Sequence, residues 1–223
     1  MNIGFITPEY PHEKLQLNVG GIGSFINNFA CKLSKSGHNV IIFIYNQQKN
    51  EVFYDNNIEI HLIKQKVLKP LTWWFNRKHI QNYINKIVVS KKIDIIEAPD
   101  WTGITAFMTL KCPLIIRLHG SDTYFCNLEN RKQKKKNFYF EKKALFKANK
   151  IVGVSNFVAK ETKKLFKIYN KYHKAIYLSL ILLTIHFIMA QKSLSIPQMF
   201  YLSVIIIITY FKIQQIKNNF SKH

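Results

Sequence analysis

After Glu161 the sequence contains no acidic residue, and after Gly153 no glycine, although the chain continues to residue 223. An α/β domain needs glycine at its tight turns, so residues 168–223 do not read as part of one. Cysteine is scarce. Cys31, Cys112 and Cys126 form no Cys-x-x-Cys pair, which excludes a disulfide framework or a zinc ribbon and suits a reducing cytoplasm. Arginine is scarce too: only Arg77, Arg117 and Arg131 stand among the 33 basic residues. Lysine is a flexible point charge, whereas bidentate readout of bases or phosphates favours arginine. With no nucleic-acid motif beside the charge, a nucleic-acid partner is not expected. The first residues lack the basic stretch and long apolar core of a secretory leader. Neither GxGxxG nor GxxxxGK[ST] is complete, and no apolar run reaches the ~20 residues that span a bilayer.

What is present describes a globular protein. The 223 residues are 48% hydrophobic and 14% aromatic, enough to bury a substantial core. The net charge of +21 divides into +12 from residues 1–161 and +9 from residues 162–223. A lysine-rich solvated surface explains it, and so does attraction to an anionic membrane surface or an anionic substrate.

In chain order, residues 2–7 predict a strand stopped by Pro8, followed by a polar loop to residue 19. Gly20, Gly21 and Gly23 open a helix whose Phe25, Ile26, Phe29, Ala30 and Leu33 recur at helical spacing. Gly37 follows its last turn, and residues 39–45 predict a second strand, completing a βαβ unit. Free N–H groups and the helix dipole at Gly20–Gly23 suit an anion, while close packing of the turn is the alternative. Residues 51–63 alternate around Asp55-Asn56-Asn57 and predict an edge hairpin in which His61 is a strand residue. A helix over residues 71–90 places Trp73, Trp74, Tyr83, Ile84 and Ile87 in the core or a groove wall. Residues 93–101 predict a strand with a polar end, residues 102–110 a helix, and residues 112–116 a buried strand ending at Arg117-Leu118-His119-Gly120. Ligands in open α/β sheets bind beyond the carboxyl ends of strands, which puts His119 where chemistry takes place. Glu97 and Asp100 there either hydrogen-bond a sugar, orient His119, or form an exposed strand end and a helix cap. The basic run 131–136 is a solvated face or a membrane-surface patch. It leads into a helix over residues 138–149. Residues 151–155 predict a strand, and Ser155 caps a helix over residues 157–166.

Five stretches, in this order, resemble the N-terminal domain of the family 4 retaining glycosyltransferases of the GT-B fold. They are Gly20-Gly21-Ile22-Gly23, Glu97-Ala98-Pro99-Asp100-Trp101, Arg117-Leu118-His119-Gly120, Phe140-Glu141-Lys142-Lys143-Ala144-Leu145 and Val152-Gly153-Val154-Ser155-Asn156. The resemblance covers residues 1–167. It implies a doubly wound, Rossmann-like parallel sheet that forms the acceptor side of a two-domain enzyme. It implies that Gly20, Gly21 and Gly23 lie near the donor diphosphate, with Ser155 at the cleft. His119 would sit beside the transferred sugar and support an oxocarbenium-like transition state, and Glu97 and Asp100 would face the acceptor. No metal or cofactor is implied, since the nucleotide-sugar is itself the donor substrate. Retention in this family is ascribed to front-face attack assisted by the leaving phosphate. The implied partners are the nucleotide-sugar and a glycan or lipid-linked acceptor, and the implied location is the cytoplasm, or peripherally the inner face of the membrane.

Residues 168–223 depart from that family. A donor-binding domain of about 150 to 200 residues, with a Glu-x7-Glu pattern for the donor, is expected and not found there. Residues 174–177 resemble the start of a strand leading toward it, and residues 178–190 and 199–211 are apolar runs. The expectation is a truncated enzyme with a frameshifted, helical or disordered hydrophobic and basic tail that is inactive alone. A non-catalytic, membrane-associated acceptor-binding module is the alternative. A nicotinamide-type Rossmann enzyme is disfavoured because no acid ends the second strand.

Overall fold

A computed structural model describes residues 1–15 and 19–168 of the chain. The expectations for residues 168–223, including the strand at 174–177 and both apolar runs, concern segments that lie, but for residue 168, outside the described residues.

The elements are β1 (Asn2–Thr7), α1 (Gly21–Lys35), β2 (Asn39–Gln47), β3 (Glu51–Asp55), β4 (Ile58–Lys64), α2 (Thr72–Ser90), β5 (Ile95–Pro99), β6 (Leu114–Leu118), α3 (Asp122–Leu128), α4 (Lys135–Lys147), β7 (Lys150–Gly153) and α5 (Asn156–Phe166). They build one sheet in the order β3-β4-β2-β1-β5-β6-β7. All pairings are parallel except that of the edge strand β3 with β4. The class is doubly wound α/β.

The side-chain period of two divides the strands between two cores. On β2, Val40, Ile42 and Ile44 join Phe5, Ile58, Ile60 and Leu62 under α1. Ile41, Phe43 and Tyr45 join Ile6, Ile63, Ile80 and Ile84 on the opposite face, under α2. Each such side chain, fully buried, contributes roughly 1.5–3 kcal/mol. The continuous apolar run of β2 is what burial on both faces demands.

Two expectations need correction. Residues 102–110 do not form a helix. A single 3-10 turn, Trp101–Gly103, is followed by a coiled loop. The backbone turns left-handed at Thr102, Gly103 and Phe107, which no continuous α-helix tolerates. The helix after the basic run starts at Lys135 rather than residue 138 and ends at Lys147. The short helix α3, Asp122–Leu128, follows the His119 loop and carries no periodic signal.

The topology defines one special edge. From β1 the chain moves outward to β2, and from β4 it returns across the sheet to β5 on the other side of β1. Crossovers diverge between β1 and β5, and a crevice opens at the carboxyl ends of those strands.

Candidate functional site

The carboxyl edge begins at β1. Thr7 is buried at the strand end, and its hydroxyl donates to the Glu9 carbonyl at 2.8 Å. Glu9 turns its carboxylate onto the start of α1, where Oε1 accepts the Gly23 N–H at 2.9 Å. The N-cap residue, Gly20, has no side chain to cap with, so Glu9 supplies the anion that the helix start favours. The three glycines then separate by role. A Cβ on Gly23 would lie 2.9 Å from Val19 Cγ1 and 3.0 Å from Glu9 Cγ, whereas one on Gly21 meets nothing within 4 Å. Gly23 is a packing glycine, and Gly21 is the open one. Gly21→Ala is therefore expected to keep the fold and raise stability by roughly 0.5–1 kcal/mol through helix propensity. A urea melt checks this, and a lower midpoint would show a constraint on Gly21 other than space.

On the central strands, Arg117 meets Glu97 in a two-pronged ion pair, Nε to Oε1 at 2.6 Å and a terminal nitrogen to Oε2 at 2.8 Å. Its guanidinium also lies over the rings of Phe25 and Phe29 on α1, 5.0 and 5.3 Å from their centroids. Glu97 thus belongs to a clamp that holds α1 against β5 and β6. Asp100 behaves differently. It is 1% exposed, so the strand end is buried rather than exposed. Its Oδ1 accepts the His119 backbone N–H at 3.0 Å. Its Oδ2 is buried without a hydrogen-bond partner. Burial pushes the Asp100 carboxyl up to about 7, helped by the nearby charge of Glu141 and opposed by the N–H groups of His119 and Gly120. The His119 ring meets Phe25 edge-on at 5.0 Å. Burial first, and then the Arg117 charge, push its pKa down to about 4, so the imidazole is neutral at physiological pH.

The loop after His119 is fixed from below. Gly120 takes a positive φ of 107°. Ser121 caps α3 by accepting the Tyr124 N–H at 3.2 Å. Glu141, fully buried on α4, accepts the N–H groups of Asp122 at 3.0 Å and Thr123 at 3.2 Å, and the Thr123 hydroxyl. Burial raises its pKa, and those donors oppose the rise. Sequence reasoning quoted Glu141 within a motif and gave it no role. Its signal was present: it sits between Phe140 and the inward-facing Ala144 and Leu145, an acid on the apolar side of a helix. Glu9, a loop residue, offered no periodic signal at all. Ser155, at the end of β7, is exposed and caps α5 by accepting the Val158 N–H at 3.2 Å.

The structure brings Phe25, Asp100 and His119 together beside the switch point, with Gly21 one helical turn before Phe25 on α1. Ser155 follows β7, one strand beyond the β6 strand that carries His119. Among the described residues no group of three or more His, Cys, Asp or Glu side chains is placed to hold a metal. What this edge offers is open backbone N–H groups at a helix start, a neutral imidazole held through its own backbone, and beside it a buried carboxyl, Asp100, with one oxygen unpartnered.

Residues 19–177 match the model of Glycosyltransferase Family 4. Among solved structures, the chain is similar to the catalytic domain of starch synthase IV from Arabidopsis thaliana, bound to ADP and acarbose, at 14% identity and a TM-score of 0.42. That alignment covers 67% of this chain and 44% of the other, so this chain spans less than half the length of that domain. No curated protein matches the sequence.

Proposed function

The chain belongs to glycosyltransferase family 4, and we propose that its described domain is the acceptor-side half of an enzyme that transfers a hexosyl group, with retention, from a nucleotide-sugar to a glycan or lipid-linked acceptor. The observation that carries this reading is the contact between His119 and Phe25. It brings the strand-end histidine beside a helix start that exposes Gly20 and Gly21.

Each group then has a task. The N–H groups of the first turn of α1 that the Glu9 carboxylate does not take suit a donor diphosphate, which would share that helix end with Glu9. His119, uncharged, hydrogen-bonds a hydroxyl of the transferred sugar. A neutral ring adds no positive charge against an oxocarbenium-like transition state, and Glu97 quenches the adjacent Arg117 in the same way. Asp100 is a positioning residue that acts on the His119 backbone rather than on the acceptor. Neither acid is placed as a free nucleophile, which agrees with front-face attack assisted by the leaving phosphate. We assign no cofactor and place the enzyme in the cytoplasm. Among the described residues no helix is long and apolar enough to cross a membrane.

The test is turnover of uridine and guanosine diphosphate hexoses, with the donor-binding half of a family member supplied as a separate chain. His119→Ala is expected to lower kcat about a hundredfold, within the range for a positioned polar group in the transition state. Unaltered melting would accompany the loss. Turnover equal to wild type would reduce His119 to a structural strand-end residue, and no turnover under any donor would remove the enzymatic reading.

A further inference from the structure

Asp100 holds the backbone of His119, accepting its N–H at 3.0 Å. The imidazole itself is not held by hydrogen bonds. Among the described residues neither of its ring nitrogens has a hydrogen-bond partner. A histidine ring turns about a broad, two-fold terminal torsion, so a fixed backbone does not decide where those nitrogens point. One side chain supplies that restraint. Phe25, on α1, meets the His119 ring at 5.0 Å between centroids, with the two planes at 68°. This is the edge-to-face arrangement that aromatic pairs prefer.

Phe25 is held in its turn. Phe29, one helical turn later, leans against it at 5.5 Å and 37°. Phe29 also meets Phe5 of β1 edge-on at 5.9 Å. The Arg117 guanidinium lies 5.0 Å from the centroid of Phe25, and Glu97 grips that guanidinium with both oxygens. The chain of restraint therefore runs from Glu97 to Arg117 to Phe25 to His119. Core packing alone accounts poorly for Phe25. The α1 residues that fill the core, Ile26 and Ala30, are buried, whereas Phe25 is half-buried. A leucine would cover the same apolar neighbours, but only a flat ring meets a guanidinium and an imidazole at once.

We propose that Phe25 is a positioning residue, whose ring sets the plane of the His119 imidazole and shields it from water on that side. The proposal rests on the reading of function above for its purpose: a ring nitrogen so fixed is aimed at a hydroxyl of the transferred sugar. Burial first, and then the Arg117 charge, keep that imidazole neutral, and the cover given by Phe25 is part of the burial. Helix α1 gains a second task. Gly21 lies one turn before Phe25, so the ring that orients His119 rides on the same helix as the N–H groups assigned to the donor.

The experiment is nuclear magnetic resonance of the full chain carrying isotope-labelled histidine, without any sugar donor. The His119 signals are identified by their loss in His119→Gln. In wild type a cross-relaxation peak is expected between the carbon-bound ring protons of His119 and the ring protons of Phe25. Phe25→Leu is expected to shift the His119 signals and to raise its protonation constant about tenfold or more, as water reaches the ring. Phe29→Leu trims the same stack at a ring that does not meet His119, and should leave both at their wild-type values. Phe25→Tyr keeps the ring and should do the same. His119 signals unmoved in Phe25→Leu would overturn the proposal. So would an equal movement in Phe29→Leu, because a general loosening of α1 would then explain it. Absence of the wild-type peak would overturn it too, and that measurement needs no variant to fold. With the donor-binding half supplied, Phe25→Leu should lower kcat about tenfold at unchanged KM for the nucleotide-sugar, the mark of a misaimed group rather than lost binding. A wild type that shows the peak and never transfers sugar would refute the reading of function and leave the placement of His119 by Phe25 standing.

Discussion

Gly103→Ala is expected to destabilise the domain by about 4 kcal/mol, the sum of a left-handed backbone penalty near 1–2 and an overpacking cost of 1–3. The position combines two constraints. Its φ is +57°, and a Cβ there would lie 2.3 and 2.4 Å from the carbonyl carbon and oxygen of Phe140 and 2.5 Å from the N of Glu141. These are backbone atoms, so no rotamer relieves the clash. Nor is the other side of the loop free to move. Buried Arg77 donates to the Gly103 carbonyl at 3.2 Å and to the Trp73 carbonyl at 3.2 Å, with its guanidinium 4.5 Å from the Phe140 ring. The remaining escape is a shift of α4, which would pull Glu141 from the start of α3 and loosen the His119 loop. Against a total stability of about 5–15 kcal/mol, a loss of this size leaves about 1–11 kcal/mol, so the variant should fold but melt at a much lower urea concentration than wild type. Urea unfolding beside wild type is the measurement. A loss below about 1 kcal/mol would mean the helix–loop contact yields easily and does not position α4. Gly21→Ala is the paired control, a glycine of the same sheet edge with open space around it.

That contrast also shows what could be read from the residues alone. Strands β1, β2, β5, β6 and β7 were legible because they combine apolar runs with polar ends. The glycines before α1 and Ser155 before α5 were legible because helix starts have their own chemistry. The segment after Trp101 was not. Thr102 to Leu110 has the composition of a helix, and only contact with Arg77 and α4 imposes the left-handed turns found there. Partners of the charged residues were likewise out of reach. Glu97 and Asp100 are three positions apart and look alike in sequence. Parallel pairing sets Pro99 opposite Arg117, which gives Glu97 a guanidinium on the α1 side and leaves Asp100 beyond the strand end with only backbone donors. The same holds for Glu141. Its burial follows from α4 crossing beneath the His119 loop, a fact of the third dimension.

Asp100 and His119 are expected to impose opposite slopes of stability against pH, and each slope should be lost in the variant that lacks the group. The Asp100 carboxyl is pushed up to about 7 in the fold, against ~3.9 in an unfolded chain. Between those values the folded domain holds a proton that the unfolded chain has released, so stability falls as pH rises from about 4 to about 7. The cost of burying that charge is absent below the window and complete above it. His119 is pushed down to about 4, against ~6.5 when unfolded. Between those values the unfolded chain holds the extra proton, so stability rises with pH, and the penalty is complete below about 4 and gone above ~6.5. In wild type the two slopes oppose each other until pH ~6.5, and only the fall due to Asp100 continues to ~7. His119→Gln removes the rise, so this variant should lose stability steadily from pH 4 to 7, by up to about 4 kcal/mol for a shift of roughly three units. Asp100→Asn removes the fall while its Oδ1 still accepts the His119 N–H, and this variant should gain stability from pH 4 to ~6.5 and then level. Urea unfolding of each variant relative to wild type at a series of pH values is the measurement. Groups common to variant and wild type, such as Glu141 and His61, cancel in each difference, so the Asp100→Asn difference isolates the Asp100 fall and the His119→Gln difference isolates the His119 rise. Parallel curves for Asp100→Asn and wild type would mean that Asp100 keeps an ordinary carboxylate pKa and is ionised at neutral pH. The loop that presents His119 would then rest on a buried charge whose free oxygen has found a donor, rather than on a carboxyl group that burial holds at the edge of ionisation.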